Sequence, residues 1–204
     1  GNMETGIRFE LTGVKSLQQQ LDRLKGNEVK KTLYMALNKV GAKAQTAADR
    51  AIRERFNISR EQVRGSFVFI RAHSVTNAVE AELRIFGSTK RLGRSLNMIH
   101  FVERSVTLAE QRKRVKKGTH KALRFKILRR GGGLKTTAGA FIGNKGRTVF
   151  KRTGAARLPI EPVQVIGVSQ MFNTRVVADR VRPKILRELD IEVRRAVDLV
   201  ISRR

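Results

Sequence analysis

Apolar and polar positions along this chain alternate in two rhythms, one of strands and one of helices. "IRFELTG" places Ile7, Phe9 and Leu11 on one side and Arg8, Glu10 and Thr12 on the other, which predicts a half-buried strand closed by Gly13. "VKSLQQQLDRLK" then sets Val14, Leu17, Leu21 and Leu24 three or four apart, as a short amphipathic helix does. Gly26 suits its C-terminal stop, and Asn27 can cap the next helix. The longest periodic stretch is "EVKKTLYMALNKVGAKAQTAADRAIRERF". Its stripe runs through Val29, Leu33, Ala36 or Leu37, Val40, Ala44, Ala47, Ala51 and Ile52. The alanines leave room for another element to come close. Gly41 costs about 1 kcal/mol against Ala inside a helix, so tight packing is expected there.

Beyond it, Ser59 and Gln62 stand at capping-box spacing and predict a short helix. "SFVFIRA" is apolar on both faces, and "AVEAELRIFG" sets Val79, Ala81, Leu83 and Ile85 against Glu80, Glu82 and Arg84. The two predict an antiparallel hairpin over 66–71 and 78–86, with "HSVTN" at its turn. From Ser88 periodicity weakens into a long irregular excursion with room for a short helix. "KALRFKILRR" returns to strand, with Leu123, Phe125 and Ile127 on one face and Arg124 and Lys126 on the other; "GGG" at 131–133 breaks it. "GAFIGNKGRTVFKR" predicts two short strands around a tight "NKG" turn. The prolines of "RLPIEPVQV" predict edge-like or irregular chain. "SQMFNTRVVADRVRPKILRELDIEVRRAVDLVISRR" predicts a helix broken or kinked at Pro183. Its stripe is Ile185 or Leu186, Leu189, Val193, Ala196 or Val197, and Val200. Glu188, Asp190 and Glu192 come after Pro183 and Arg203 and Arg204 close the end, an order that suits the helix dipole.

These elements predict an α+β fold. A small antiparallel sheet packs on a long N-terminal helix, 28–55, with a C-terminal helix alongside and an extended basic middle segment. The 204 residues suit one domain over 4–204, with 87–135 as a basic arm or hairpin insertion. A chain of this size buries roughly 70% of its unfolded surface, and 40% hydrophobic residues supply that core. No 20–50-residue repeat is visible. Gly1 and Asn2, ahead of Met3, read as a cloning remnant, and the start lacks the basic head and apolar centre of a signal peptide.

Charge changes the picture most. The formal net charge is +27, and residues 87–157 carry 20 Lys or Arg against 2 acids, a net +18. Two thirds of the excess therefore sits in the middle of the chain. Such a field repels itself and favours a polyanionic or acidic partner. With no cysteine there is neither a disulfide framework nor a thiolate metal site. No run of about 18 apolar residues appears, so no membrane span is expected.

Candidate chemistry is sparse. His73, His100 and His120 have no partner at metal-ligand spacing. The H-E-x-x-H, G-x-S-x-G and Walker patterns are absent. "GNKGR" lacks the full phosphate-loop spacing and the hydroxyl residue after Lys. Glu80 and Glu82, two apart on one strand face, could share a metal as a nuclease site does, and any solvent-facing strand shows the same spacing. No cofactor, metal or catalytic residue is expected. The remaining candidates are Arg112, Lys113, Arg114, Lys116, Lys117, Lys121, Arg124, Lys126, Arg129 and Arg130, within "AEQRKRVKKGTHKALRFKILRRGGG". They suit non-specific contact with duplex DNA phosphates, whose affinity falls with salt at a slope near ~0.9 per contact. They suit equally an acidic surface on a neighbouring subunit. One Phe and no Tyr or Trp in the stretch argues against a stacking platform for single strands. No zinc finger, RRM-type run or helix-turn-helix is present.

Taken in order, "ALNKVGAKAQTAADR", "FNISREQVR", "GAFI" and "RLPIEPVQVIGVSQM" resemble the minor tail protein Z family of tailed phages and prophages, from about Gly13 to the end. The resemblance implies a structural virion component that completes the tail at its head-proximal end and joins tails to filled heads. It implies a homo-oligomeric ring, other tail or neck proteins as partners, and location in the virion tail after assembly in the host cytoplasm. The basic stretch then becomes an arm that orders in assembly. A general basic nucleic-acid-binding protein without catalysis is the alternative.

Overall fold

The computed structural model describes residues 5–10, 27–72, 80–85, 95–103 and 123–202. It is an α+β fold framed by two long helices, α1 (Asn27–Arg55) and α4 (Arg175–Ser202). Lys43 of α1 reaches Glu188 and Glu192 of α4, and Glu54 reaches Arg180, so the two helices run antiparallel. The predicted stripe of α1 is its buried face: Leu33, Leu37, Val40, Ala44, Ala51 and Ile52 are all in the core. On α4 the stripe resolves to Ile185, Val193, Ala196 and Val197, while Leu186 stays exposed.

The remaining elements are short. Strands β1 (Thr5–Glu10), β2 (Phe67–Ile70) and β3 (Glu80–Ile85) form one antiparallel sheet in the order β1-β3-β2. The predicted hairpin is thus present, with Phe67 opposite Ile85 and Ile70 opposite Glu82. Ahead of β2 lies α2 (Arg60–Gly65); the Ser59 hydroxyl accepts the Gln62 N–H at 3.2 Å, the first half of the expected capping box. Strand β4 (Ser95–Asn97) leads into a 3₁₀ turn over Met98–Phe101. Strands β5 (Arg124–Phe125) and β6 (Lys135–Thr136) pair. Strands β7 (Ala140–Gly143), β8 (Thr148–Arg152) and β9 (Ile160–Pro162) make a second three-stranded sheet with β9 at its edge, where Pro162 lacks a donor without harm. Strand β10 (Gln164–Ile166) returns to β4, and α3 (Val168–Asn173) precedes α4. The "NKG" turn joins β7 to β8 with positive φ at Asn144, Lys145 and Gly146, the twist a tight hairpin requires.

The expected antiparallel sheet is joined by three further small sheets among the described residues, and two other expectations need correction. The C-terminal helix does not break at Pro183; α4 runs through it, and the break falls at Thr174 between α3 and α4. Pro183 lies on the exposed side, where a freed carbonyl can be solvated. Glu188, Asp190 and Glu192 therefore stand mid-helix and do not serve the dipole. Among its described residues, 123–130, the predicted strand is regular only at Arg124–Phe125, although Leu123 and Phe125 are buried and Arg124 and Lys126 exposed, as the alternation implied. The predicted helix at 14–25 and the "HSVTN" turn lie outside the described residues.

Two asparagines fasten the sheets. Asn38 on α1 accepts the Ala72 N–H at 2.8 Å and donates to the Ala72 carbonyl at 3.0 Å, tying the end of β2 to the helix. Asn97 does the same to Val149, at 2.8 and 3.2 Å, tying β4 to β8. Gly41 meets the expectation of close approach: a Cβ there would overlap the Phe69 ring.

Candidate functional site

Several acids of the two long helices hold bases. Glu192, 4% exposed, accepts from Lys43 at 2.7 Å and pairs with Lys39 at 2.9 Å and Arg195 at 3.2 Å. The Lys43 hydrogen bond outweighs the cost of burial and holds the Glu192 carboxyl down at about 2. Lys43 is raised in turn, chiefly by its bonds to Glu188 and Glu192. Asp49, 3% exposed, takes Arg53 through two nitrogens at 2.9 and 3.1 Å, with Arg60 and Arg64 at 3.8 Å. Glu54 bridges Arg50 at 2.9 Å and Arg180 at 2.6 Å. Its carboxyl is lowered, first by the Arg50 bond.

The sheets around β5–β9 are different. From Arg124 to Arg157 the chain holds ten Lys or Arg and no acid. All ten are exposed, and among the described residues the ion pair found for them is Arg124 to Glu103, at 3.3 Å. Arg152 also stacks over Phe141, 5.0 Å from the ring centroid, and Phe141 faces Phe150 at 6.0 Å. That contact orients the guanidinium and leaves its charge unopposed. A buried layer of Leu123, Phe125, Val149 and Val163 holds this cationic surface from beneath.

The strip from Arg124 to Arg130 is fixed at both ends. The Glu103 N–H donates to Arg124 O at 2.9 Å, and Lys126 N–H to Phe101 O at 2.9 Å. Farther on, Asn57 N–H donates to Ile127 O at 2.8 Å, and Arg129 N–H to Arg55 O at 3.0 Å. The backbone bond between Glu103 and Arg124 brings these two residues together at the edge of the strip.

Of the sequence-predicted site residues, Arg124, Lys126, Arg129 and Arg130 are on this strip, exposed. Arg112, Lys113, Arg114, Lys116, Lys117 and Lys121 lie outside the described residues, as do His73 and His120. His100 is exposed in the 3₁₀ turn. Glu80 stands opposite Glu10 in the sheet, and Glu82 is flanked by Arg8 and Ile70. Among the described residues no cluster of three His, Cys, Asp or Glu could hold a metal, and no helix is long and apolar enough to cross a membrane. Sequence reasoning missed Arg55 and Arg180, which the fold brings to one cleft with Arg129 and Arg130. Their spacing along the chain gives no signal of that meeting.

A family model described as prophage minor tail protein Z matches residues 11–203. No curated protein and no solved structure matches the chain. The match spans nearly the whole length, and the chain belongs to that family.

Proposed function

We propose that this prophage minor tail protein acts without catalysis in completing the tail and in joining tails to heads, as one subunit of a homo-oligomeric ring. Its place is the virion tail, reached after assembly in the host cytoplasm. The observation that carries this reading is the split in charge. Across α1 and α4 acids hold bases, Glu192 with Lys43 and Glu54 with Arg180, whereas Arg124–Arg157 expose ten cations with no acid among them. Self-repulsion of that kind is tolerated where another molecule supplies the counter-charge.

The contact residues proposed are Arg112, Lys113, Arg114, Lys116, Lys117, Lys121, Arg124, Lys126, Arg129 and Arg130. The one domain over 4–204 carries 87–135 as an insertion directed at partners, and two features support this. Leu96, Phe101, Leu123 and Phe125 root the described parts of the insertion in the core, and a backbone bond joins Glu103 to Arg124. The partners are other tail or neck proteins, with duplex DNA as a further non-specific contact.

The test is complementation. Particles made without this chain should lack completed, joined tails. Supplying the wild-type chain should restore them, and supplying one with Arg112, Lys113, Arg114, Lys116 and Lys117 changed to Gln should not. Full restoration by that variant would remove the basic stretch from the function.

A further inference from the structure

Four arginines from three parts of the chain meet at one cleft of about 460 Å³. Arg55 closes α1, Arg129 and Arg130 end the strip docked on it, and Arg180 stands in the first turns of α4. Val176, 53% exposed, gives the cleft an apolar wall. Its acid is Glu54, whose two oxygens are already taken by Arg50 and Arg180 at 2.9 and 2.6 Å. Arg129 and Arg130 have no ion pair among the described residues, while the backbone bond from Arg129 to Arg55 fixes where they start. The cleft is thus a preformed cationic hollow whose internal carboxylate is used up.

From this we infer that the cleft receives a carboxylate-bearing segment of a partner protein, a peptide in which Asp or Glu alternates with apolar residues. The inference rests on the reading of the chain as an assembly component. Every cation here is arginine, whose planar fork matches a carboxylate through paired hydrogen bonds better than lysine does. Glu54 already displays the mode, one carboxylate held between two guanidinium groups. The apolar wall and concave shape select a peptide over duplex DNA. A duplex is too stout to enter a hollow of this volume and would meet only its rim, whereas an extended peptide can place a side chain inside.

The test uses the full chain at physiological salt and a fluorescent peptide of alternating Glu and Val, read by anisotropy. Arg129→Gln with Arg130→Gln should weaken binding by at least about tenfold, as expected for losing two charge-assisted contacts. Lys145→Gln with Arg147→Gln, at the tip of the β7–β8 hairpin, removes the same charge and should change binding less than about twofold. Equal losses in both pairs, or none in either, would overturn the assignment. So would a labelled duplex that loses more affinity than the peptide in the cleft variant. Thermal midpoints confirm folding, and Arg130→Gln alone serves if the pair is unstable. None of these arms touches incorporation of the wild-type chain into particles, so the cleft can fail while the tail role stands.

Discussion

Lys43 and Glu192, 149 positions apart in sequence, meet at 2.7 Å and lock α1 against α4. The carboxylate is buried and the ammonium is half-exposed, so the bond both satisfies a costly buried charge and sets the helix register. Glu192→Gln should destabilise the chain by about 1–3 kcal/mol, less than a fully buried pair because both lysines keep solvent contact. A thermal or denaturant midpoint matching wild type would show that packing alone holds the helices.

The same carboxyl gives a pH dependence with a defined sign. Its folded value is lowered from 4.5 to about 2. The stability it contributes is complete above about 4.5 and is lost as pH falls toward about 2. Denaturation curves between these limits should fall steeply for wild type and less steeply for Glu192→Gln. Parallel curves would remove Glu192 from the acid response.

Gly41 is required by Phe69. Alanine is the better helix former by about 1 kcal/mol, yet its methyl would overlap the Phe69 ring. Gly41→Ala should therefore destabilise by about 1–3 kcal/mol, and Phe69→Leu in the same chain should recover part of the loss. A stabilised Gly41→Ala variant would mean that the sheet does not sit on the helix at this point.

Asn38 holds both backbone groups of buried Ala72. Asn38→Ala leaves that N–H and C=O unpartnered and should cost about 1–3 kcal/mol. Asn38→Asp keeps the acceptor and loses the donor, and should fall between. Faster amide exchange at Ala72 in Asn38→Ala is the local readout.

The frame was legible in the sequence because long periodic stripes leave few options. The run from Leu33 to Ile52 can bury only one face, and Gly41 inside it announced a close neighbour. Alternation likewise exposed β3, an apolar run exposed β2, and turn residues marked the bend at Asn144–Gly146. What joins the elements was not legible. Lys39, Lys43, Glu188 and Glu192 each look like solvated helix charges until the antiparallel packing pairs them. Asn38 and Asn97 look like surface polar residues, and only the tertiary fold supplies their backbone partners. Pro183 misled because a proline on a helix's exposed side can be accommodated when the opposite side is well packed. For the candidate site, charge counting named Arg129 and Arg130 among its ten basic residues, and the cleft they line is visible only in the fold. Arg55 and Arg180 joined them through folding, which composition does not encode.

Neutralising Arg112, Lys113, Arg114, Lys116 and Lys117 together should leave the thermal midpoint close to wild type while particle assembly fails. Loss of the folded state in the isolated variant would instead make these residues part of the protein's own architecture.

Imaging of assembled particles at side-chain detail tests the division of labour between the helical frame and the cationic surface. The expected map places this chain at the head-proximal end of the tail, with Arg124–Arg157 against neighbouring molecules and their acidic groups. A map with the chain absent, or with that surface turned to open solvent, would contradict it.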